Sequence, residues 1–129
     1  MFIKTSELTG PDLDWAVAQC EEQPVYFHQE DWCLYMGDGL GDWAYAPSND
    51  WAQGLPIIEE REIELQVIPA GRDPNNWAGA TNDDAWSANI CVPDADYIRM
   101  FGPTPLIAAM RCLIASKLGD EVEVPDELA

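Results

Sequence analysis

Hydrophobic residues recur with helical spacing in a stretch near the start of the chain. The apolar positions from Leu13 to Cys20 fall on one face of a helix, while Trp15 points the other way. Thr9, just before this stretch, is a residue type that commonly caps the first turn of a helix. The pattern predicts a first helix over about residues 10–22.

A longer helical pattern lies near the end of the chain. Thr104 is suited to cap it, Gly119 would stop it, and a wide apolar face runs between them from Leu106 to Leu118. This pattern predicts a helix over residues 105–118. The face opposite the apolar one carries the small or polar residues Ala108, Arg111 and Ala115.

Between the helices, apolar and polar residues alternate with the period of a β-strand. The clearest alternation sets Ile63, Leu65 and Val67 against acidic and amide neighbours, as in a strand with one face buried. Further strands are predicted at residues 25–28, 32–36, 43–45 and 86–92, with a short edge strand at Val122 and Val124. We therefore expect an α+β fold in a single domain, with a mostly antiparallel sheet of four or five short strands packed against the two helices.

The segment 48–54 is more polar than its local structure requires. Ser48 is suited to cap one helical turn, which Gly54 would stop. The other polar side chains could then read the edge of a planar ligand while the tryptophan stacks on it. The segment predicts the rim of a binding site, formed by Asn49, Asp50, Trp51 and Gln53.

The start of the last helix is a candidate anion site. A helix N-terminus offers free backbone N–H groups and a partial positive charge. Thr104 and Arg111 lie on the same face, Ala108 leaves room between them, and Gly102 would let a ligand approach the backbone. We predict that Thr104 and Arg111 hold the phosphate of a small anionic, base-containing ligand. In the alternative, Thr104 is simply a cap and Arg111 pairs with an acidic residue.

The net charge of -18 narrows the possible partners. It argues against direct binding of nucleic acid, which needs a basic patch. An acidic protein of this kind could bind a basic protein partner, could act as a decoy that resembles nucleic acid, or could carry the charge only for solubility. No apolar run has the length of a signal peptide or a membrane span, so we expect a cytoplasmic protein without membrane contact.

The residue types for catalysis and metal binding are sparse. Cys20, Cys33, Cys91 and Cys112 form no Cys-x-x-Cys pair, and His28 is the one histidine, so no zinc or other metal site is predicted. His28 has no local motif that would pair it with a nucleophile. We therefore expect a protein that is not an enzyme and has no cofactor.

Self-association is a further expectation from the two helices. Ala108 and Ala115 on the back of the last helix would permit close approach of another helix. Trp15 lies off the apolar face of the first helix. A homodimer or larger homo-oligomer is therefore predicted.

Three blocks of the sequence resemble a known family. TSELTGPDLDWAVAQCE, APSNDWAQGLPIIEERE and GPTPLIAAMRCLIASKLGDEVEVPDEL are similar, in this order, to blocks of the NinX-like phage proteins, a family of unknown function. The family usually has Ser-Thr-Asp-Trp-x-Gln-Gly-Gly-Pro-Ile-Ile in the second block. Here Asn49 replaces the threonine, and Leu55, in place of the second glycine, restricts the backbone.

The resemblance implies a phage or prophage accessory protein made in the bacterial cytoplasm, and it implies no enzymatic activity. Two modes of binding are then expected. The protein could sequester a small signalling nucleotide of host defence between residues 48–54 and the start of the last helix. Alternatively, it could block a basic host protein directly, for example as a mimic of nucleic acid.

Overall fold

The computed structural model describes residues 1–30, 32–37, 42–69, 77, 80–81, 83–92 and 96–128. Within these residues the chain forms three α-helices, eight strands and two short 3-10 helices at Thr5–Glu7 and Asp126–Leu128. In chain order the strands and α-helices are β1 (Phe2–Lys4), α1 (Gly10–Cys20), β2 (Tyr26–His28), β3 (Cys33–Met36), β4 (Trp43–Ala44), α2 (Trp51–Arg61), β5 (Glu64–Val67), β6 (Trp86–Val92), β7 (Asp96–Gly102), α3 (Pro105–Leu118) and β8 (Glu121–Glu123).

The predicted α+β class and antiparallel pairing are confirmed. The strands are divided among three small sheets rather than one: β1 with β8, β2-β3-β4, and β5-β6-β7, all antiparallel. Strand β7 was not predicted from the sequence. It pairs with the full length of β6, from Trp86 opposite Gly102 to Val92 opposite Asp96.

The last helix has the predicted bounds and forms the centre of the core. It packs against α1, α2, β6 and β7, so that other elements of the same chain surround it. Ala108 and Arg111 are buried, and Ala115 is only 9% exposed. The expected open back face is therefore wrong, because a helix covered on several sides has no polar face. Ala108 and Ala115 admit neighbouring elements of this chain rather than a second copy.

The first helix begins where the sequence predicted and ends two residues earlier, at Cys20. Leu8 and Leu13 are both fully buried at its start. Thr9 occupies the cap position, but its side chain makes no capping hydrogen bond. Trp15 is half-buried and packs against the core, so that at least part of the ring is covered within the chain.

The helix α2 is the largest departure from the sequence prediction. Asp50, not Ser48, caps it, and it continues through Gly54 and Pro56 to Arg61 instead of stopping after one turn. A Cβ atom at position 54 would lie 2.5 Å from the carbonyl oxygen of Pro47 and 2.6 Å from a methyl carbon of Leu106. Gly54 therefore allows α2 to pack closely against the preceding turn and α3, and it does not end the helix.

The two ends of the described chain lie side by side. The amino group of Met1 donates to the carbonyl oxygen of Val124 at 3.0 Å, and the strands β1 and β8 pair through Ile3 and Val122. The short edge strand predicted at Val122 and Val124 is present as β8, and Val122, Val124 and Leu128 are buried although the segment is acidic. Alternation explains this, since the carboxylates point outwards while the apolar residues between them join the core.

Candidate functional site

The turn before α2 is held by a buried carboxylate. The backbone N–H of Ser48 donates to Oδ1 of Asp14 at 2.9 Å, and Ser48 is itself buried. The N–H groups of Asn49 and Asp50 both donate to the carbonyl oxygen of Ala46, at 3.0 and 2.8 Å. The hydroxyl of Ser48 also hydrogen-bonds to Asp14. The polar side chain of Ser48 therefore helps to connect this turn to α1.

Asp50 and Gln53 are also engaged within the chain. Oδ1 of Asp50 accepts from the N–H of Ala52 at 3.0 Å, which makes Asp50 the cap of α2. The amide of Gln53 accepts from the N–H of Ala46 at 2.8 Å and donates to the carbonyl oxygen of Ala44 at 2.7 Å. It thereby fastens the first turn of α2 to the end of β4. Either side chain would have to break these hydrogen bonds in order to form hydrogen bonds with a ligand.

The predicted anion site at the start of α3 is closely packed. Thr104 caps the helix, its Oγ1 accepting from the N–H of Ile107 at 3.1 Å. Gly102 allows β7 to approach the helix, because a Cβ atom there would lie 2.7 Å from the nitrogen of Ala108. The glycine thus makes room for the helix of its own chain, and not for the predicted ligand.

Arg111 is buried and bound to the chain itself. Its Nε donates to the carbonyl oxygen of Leu8 and its Nη1 to that of Phe101, each at 2.9 Å. The carboxylate of Asp84 lies 3.9 Å from Nη1. Burial lowers the pKa of Arg111, and the charge of Asp84 opposes that effect. These contacts favour the alternative role, in which Arg111 pairs with an acid, over the phosphate-binding role.

A cleft of about 250 Å³ lies beside the polar turn. Asn49 is on its rim, and Ile107 of α3 is on its wall, so the structure does bring the turn and the start of α3 together. The remaining lining residues come from the start of α1, the β2–β3 hairpin and the segment before α2: Gly10, Pro11, Asp14, Trp32, Cys33, Leu34, Tyr45, Ala46 and Ser48. Neither Thr104 nor Arg111 is among them.

The sequence prediction missed the residues that give this cleft its chemistry. Burial raises the pKa of the Asp14 carboxyl to about 6, although the hydrogen bonds from Ser48 lower it in part. Burial also raises the pKa of Tyr45. Asp14 could have been found by its position, because it lies next to Leu13 on the buried side of α1. Trp32 was predicted in a strand but precedes it, with a left-handed φ of 51°.

The charge around the cleft has one sign. None of the described lining residues is lysine or arginine, and the sequence has no lysine or arginine between Lys4 and Arg61. A phosphate in the cleft would therefore meet the carboxylate of Asp14 without a compensating cation. A neutral or cationic group fits these surroundings better, because a carboxylate accepts hydrogen bonds and attracts positive charge.

Three tryptophans are exposed in this part of the molecule. Trp32 at the cleft, Trp43 in β4 and Trp51 at the start of α2 have relative exposures of 52%, 55% and 49%. Of these, Trp51 was predicted as a site residue, and its ring lies where a partner could reach it. Exposed aromatic residues of this size are characteristic of protein interfaces.

Two negative findings apply to the described residues alone. No group of three or more His, Cys, Asp or Glu side chains in that part of the chain is arranged to hold a metal ion. Over the same residues, no helix has the length and apolar character needed to cross a membrane.

Comparison with known proteins identifies related sequences and folds. The family model described as Bacteriophage P22, NinX matches residues 4–117 of the chain. The chain is also similar in structure to a phage protein from Bacillus cereus, with a TM-score of 0.55, 15% sequence identity, and coverage of 84% of this chain and 87% of that one. At this identity the likeness shows the fold alone. No curated protein matches the sequence.

Proposed function

Because the chain belongs to the family of the bacteriophage P22 protein NinX, we propose that it is a phage accessory protein that binds and blocks a basic host protein in the bacterial cytoplasm. The observation that carries this proposal is the combination of exposed tryptophans with a set of described cleft residues and a stretch of sequence, residues 5–60, that have no lysine or arginine. Aromatic residues supply the apolar anchors of an interface, and complementary charge guides a basic partner towards them.

The stretch from residue 5 to residue 60 contains acidic residues and no lysine or arginine. Every charged side chain from residue 5 to residue 60 is a carboxylate, apart from the titratable His28. The arginines of the described chain are each engaged: Arg61 pairs with Glu21 of this stretch at 3.3 Å, Arg99 bonds to Asn89 at 3.0 Å, and Arg111 is buried. This arrangement supports the basic-protein alternative over an anionic ligand.

The salt dependence of binding tests this proposal. Purified protein would be used to isolate partners from the host at low and at high salt, and a purified partner would then be titrated by calorimetry. We expect a basic partner whose affinity falls as salt rises, because screening shortens the reach of the carboxylates. A partner of acidic or neutral charge, or an affinity indifferent to salt, would contradict the proposal.

A matched pair of variants tests the role of the tryptophans. Trp51→Ala should weaken binding of that partner by about tenfold or more, as truncation of an interface anchor does. Val67→Ala is the control, since Val67 is similarly exposed, at 57%, but lies on β5 in another sheet. Equal losses from the two substitutions would mean that the tryptophan has no special role.

A second candidate function, sequestration of a small signalling nucleotide, is favoured by the cleft itself. A base could enter beside Trp32 and Asn49, and the carboxylate of Asp14 could accept from an amino group on its edge. Stacking of a base on an aromatic ring contributes about 1–3 kcal/mol. Calorimetry with a panel of signalling nucleotides in modest salt tests this function. Nucleotide binding that Trp32→Ala and Asn49→Ala both weaken, and that Trp51→Ala leaves unchanged, would support it over the basic partner.

Self-association remains part of the proposal, on a different basis from that expected. Because Ala108 and Ala115 are buried, we propose that exposed aromatic side chains such as Trp43 form the contact between copies. The protein is proposed to act by binding alone, without turnover.

A further inference from the structure

The sheet β2-β3-β4 has an outer face with aromatic side chains that do not line the cleft. Side chains alternate between the two faces of a strand. Leu34 is buried and Phe27 packs against the core, so their neighbours Tyr26, His28 and Tyr35 point to the other side. We call this set of three side chains the tyrosine face.

The rings of the tyrosine face form one cluster. Tyr26 and Tyr35 are cross-strand partners, and their rings stack with centroids 5.8 Å apart and planes 23° apart. The ring of His28 meets that of Tyr35 edge-on, with centroids 5.8 Å apart. The side chain of Tyr26 is 46% exposed, and His28 is exposed as well. Aromatic surface of Tyr26 is therefore accessible to a partner, while Tyr35 is half-buried beside it.

Carboxylates accompany this aromatic surface. The hydroxyl of Tyr26 donates to the carboxylate of Asp42, and that bond raises the pKa of Tyr26, so the phenol stays neutral at physiological pH. Glu30 is exposed in the turn that follows β2. A cation above the rings would thus gain from the negative face of the π-system and from the nearby acidic charges.

Resting on the proposed function, we propose that the tyrosine face receives an arginine side chain of the basic partner. The planar guanidinium can stack on a tyrosine ring while its N–H groups bond to a carboxylate such as that of Asp42. The ammonium group of lysine lacks this flat surface. The complementary charge of the region from residue 5 to residue 60 selects a cation over an apolar or acidic occupant.

The test uses a defined probe and substitutions that leave the charge unchanged. A hexa-arginine peptide is titrated into the unmodified protein and into the Tyr26→Leu and Tyr35→Leu variants, with a hexa-lysine peptide for comparison. Leucine keeps an apolar side chain but removes the π-system. We expect each substitution to weaken binding of hexa-arginine by about three- to fivefold, the size of an exposed cation–π contact. Binding of hexa-lysine should be weaker from the start.

Two further variants separate the ring from other effects. Tyr97→Leu is the matched control, since Tyr97 is 56% exposed but lies on β7 in a different sheet, and it should bind as the unmodified protein does. Tyr26→Phe keeps the ring without the hydroxyl and should retain most of the affinity. Circular dichroism confirms that each variant is folded.

The outcomes distinguish the two proposals. If hexa-arginine binds and all three leucine variants bind it equally, the tyrosine face is not the receiving surface, while the basic-partner proposal survives. If hexa-arginine binds no better than a hexa-citrulline peptide, which lacks the charge, both are overturned. A larger loss at Tyr26 and Tyr35 than at Tyr97, with rescue by phenylalanine, supports the inference.

Discussion

Replacing Asp14 by asparagine is expected to raise the free energy of unfolding at neutral pH and to leave it unchanged or lower in acid, where only the cost of burying the amide is left. The side chain of Asp14 is 5% exposed, and its Oδ1 accepts from the N–H of Ser48. An amide oxygen can accept the same hydrogen bond, so the substitution removes the buried charge while it keeps the connection between α1 and the turn before α2.

The expected size follows from the pKa. Burial raises the pKa of Asp14 from 3.8 to about 6 in the folded protein, which corresponds to about 3 kcal/mol. As pH rises, the unfolded chain loses this proton first, because its pKa is the lower one. Below about pH 4 the carboxyl group of Asp14 is neutral in both states, and the folded protein contains no buried charge at this position. This contribution to the free energy of unfolding decreases as the pH rises and is lost above about pH 6.

The measurement is urea denaturation followed by tryptophan fluorescence, at about pH 4 and about pH 7.5. At the higher pH, the free energy of unfolding of Asp14→Asn should exceed that of the unmodified protein by about 1–3 kcal/mol, since burying the new amide group offsets part of the gain. Asp83→Asn, at an exposed position, controls for the loss of one negative charge. A difference between Asp14→Asn and the unmodified protein that is constant across this pH range would refute the reasoning.

Further predictions concern the fold, the activity and assembly. Gly54→Ala should destabilise by about 1–3 kcal/mol through collision with the carbonyl of Pro47, in spite of a helix-propensity gain of about 1 kcal/mol; a more stable variant in urea would contradict this. Arg111→Leu should cost about 3–5 kcal/mol, because it removes the cation beside Asp84 and the donor to two carbonyl groups, as thermal unfolding would show. Cyclic dinucleotides, NAD derivatives and peptides should be returned unchanged after incubation, whereas turnover that His28→Ala abolishes would show an enzyme. Light scattering at high micromolar concentration should detect a dimer that increases with salt, because salt screens repulsion between the acidic copies; a monomer throughout would contradict it.

The sequence was sufficient where local signals and packing agree. The bounds of α3 follow from a capping threonine, an early proline and a terminal glycine, and all three act as expected. The α2 helix was missed because Gly54 and Pro56 oppose helix formation locally. The glycine is required only because Pro47 and Leu106 lie so close, and that proximity arises from the tertiary fold. The residues next to Gly54 in the sequence therefore do not reveal this requirement.

The candidate site shows the same limit. Periodicity placed Arg111 on a polar face, but α3 is covered on several sides. Arg111 therefore bonds to the carbonyl groups of Leu8 and Phe101, which lie 103 and 10 residues away in the sequence. The segment 48–54 and the start of α3 do meet, as expected. Their polar side chains mostly hold the chain together. The cleft owes its character to Asp14, Trp32 and Tyr45, which come from three separate segments that only the fold brings to one place.

The pairing of β1 with β8 has a consequence for how the molecule is made. Ile3 meets Val122 across almost the whole described sequence, so this sheet cannot form until synthesis has reached its second strand. A nascent chain therefore carries an unpaired edge at β1 while the helices and the other two sheets are able to assemble. Contacts of such long sequence separation form slowly, because the loop must close before they contribute. Closure of the two ends is thus expected as the last step of folding, and hydrogen exchange during refolding should show β1 and β8 protected after α3.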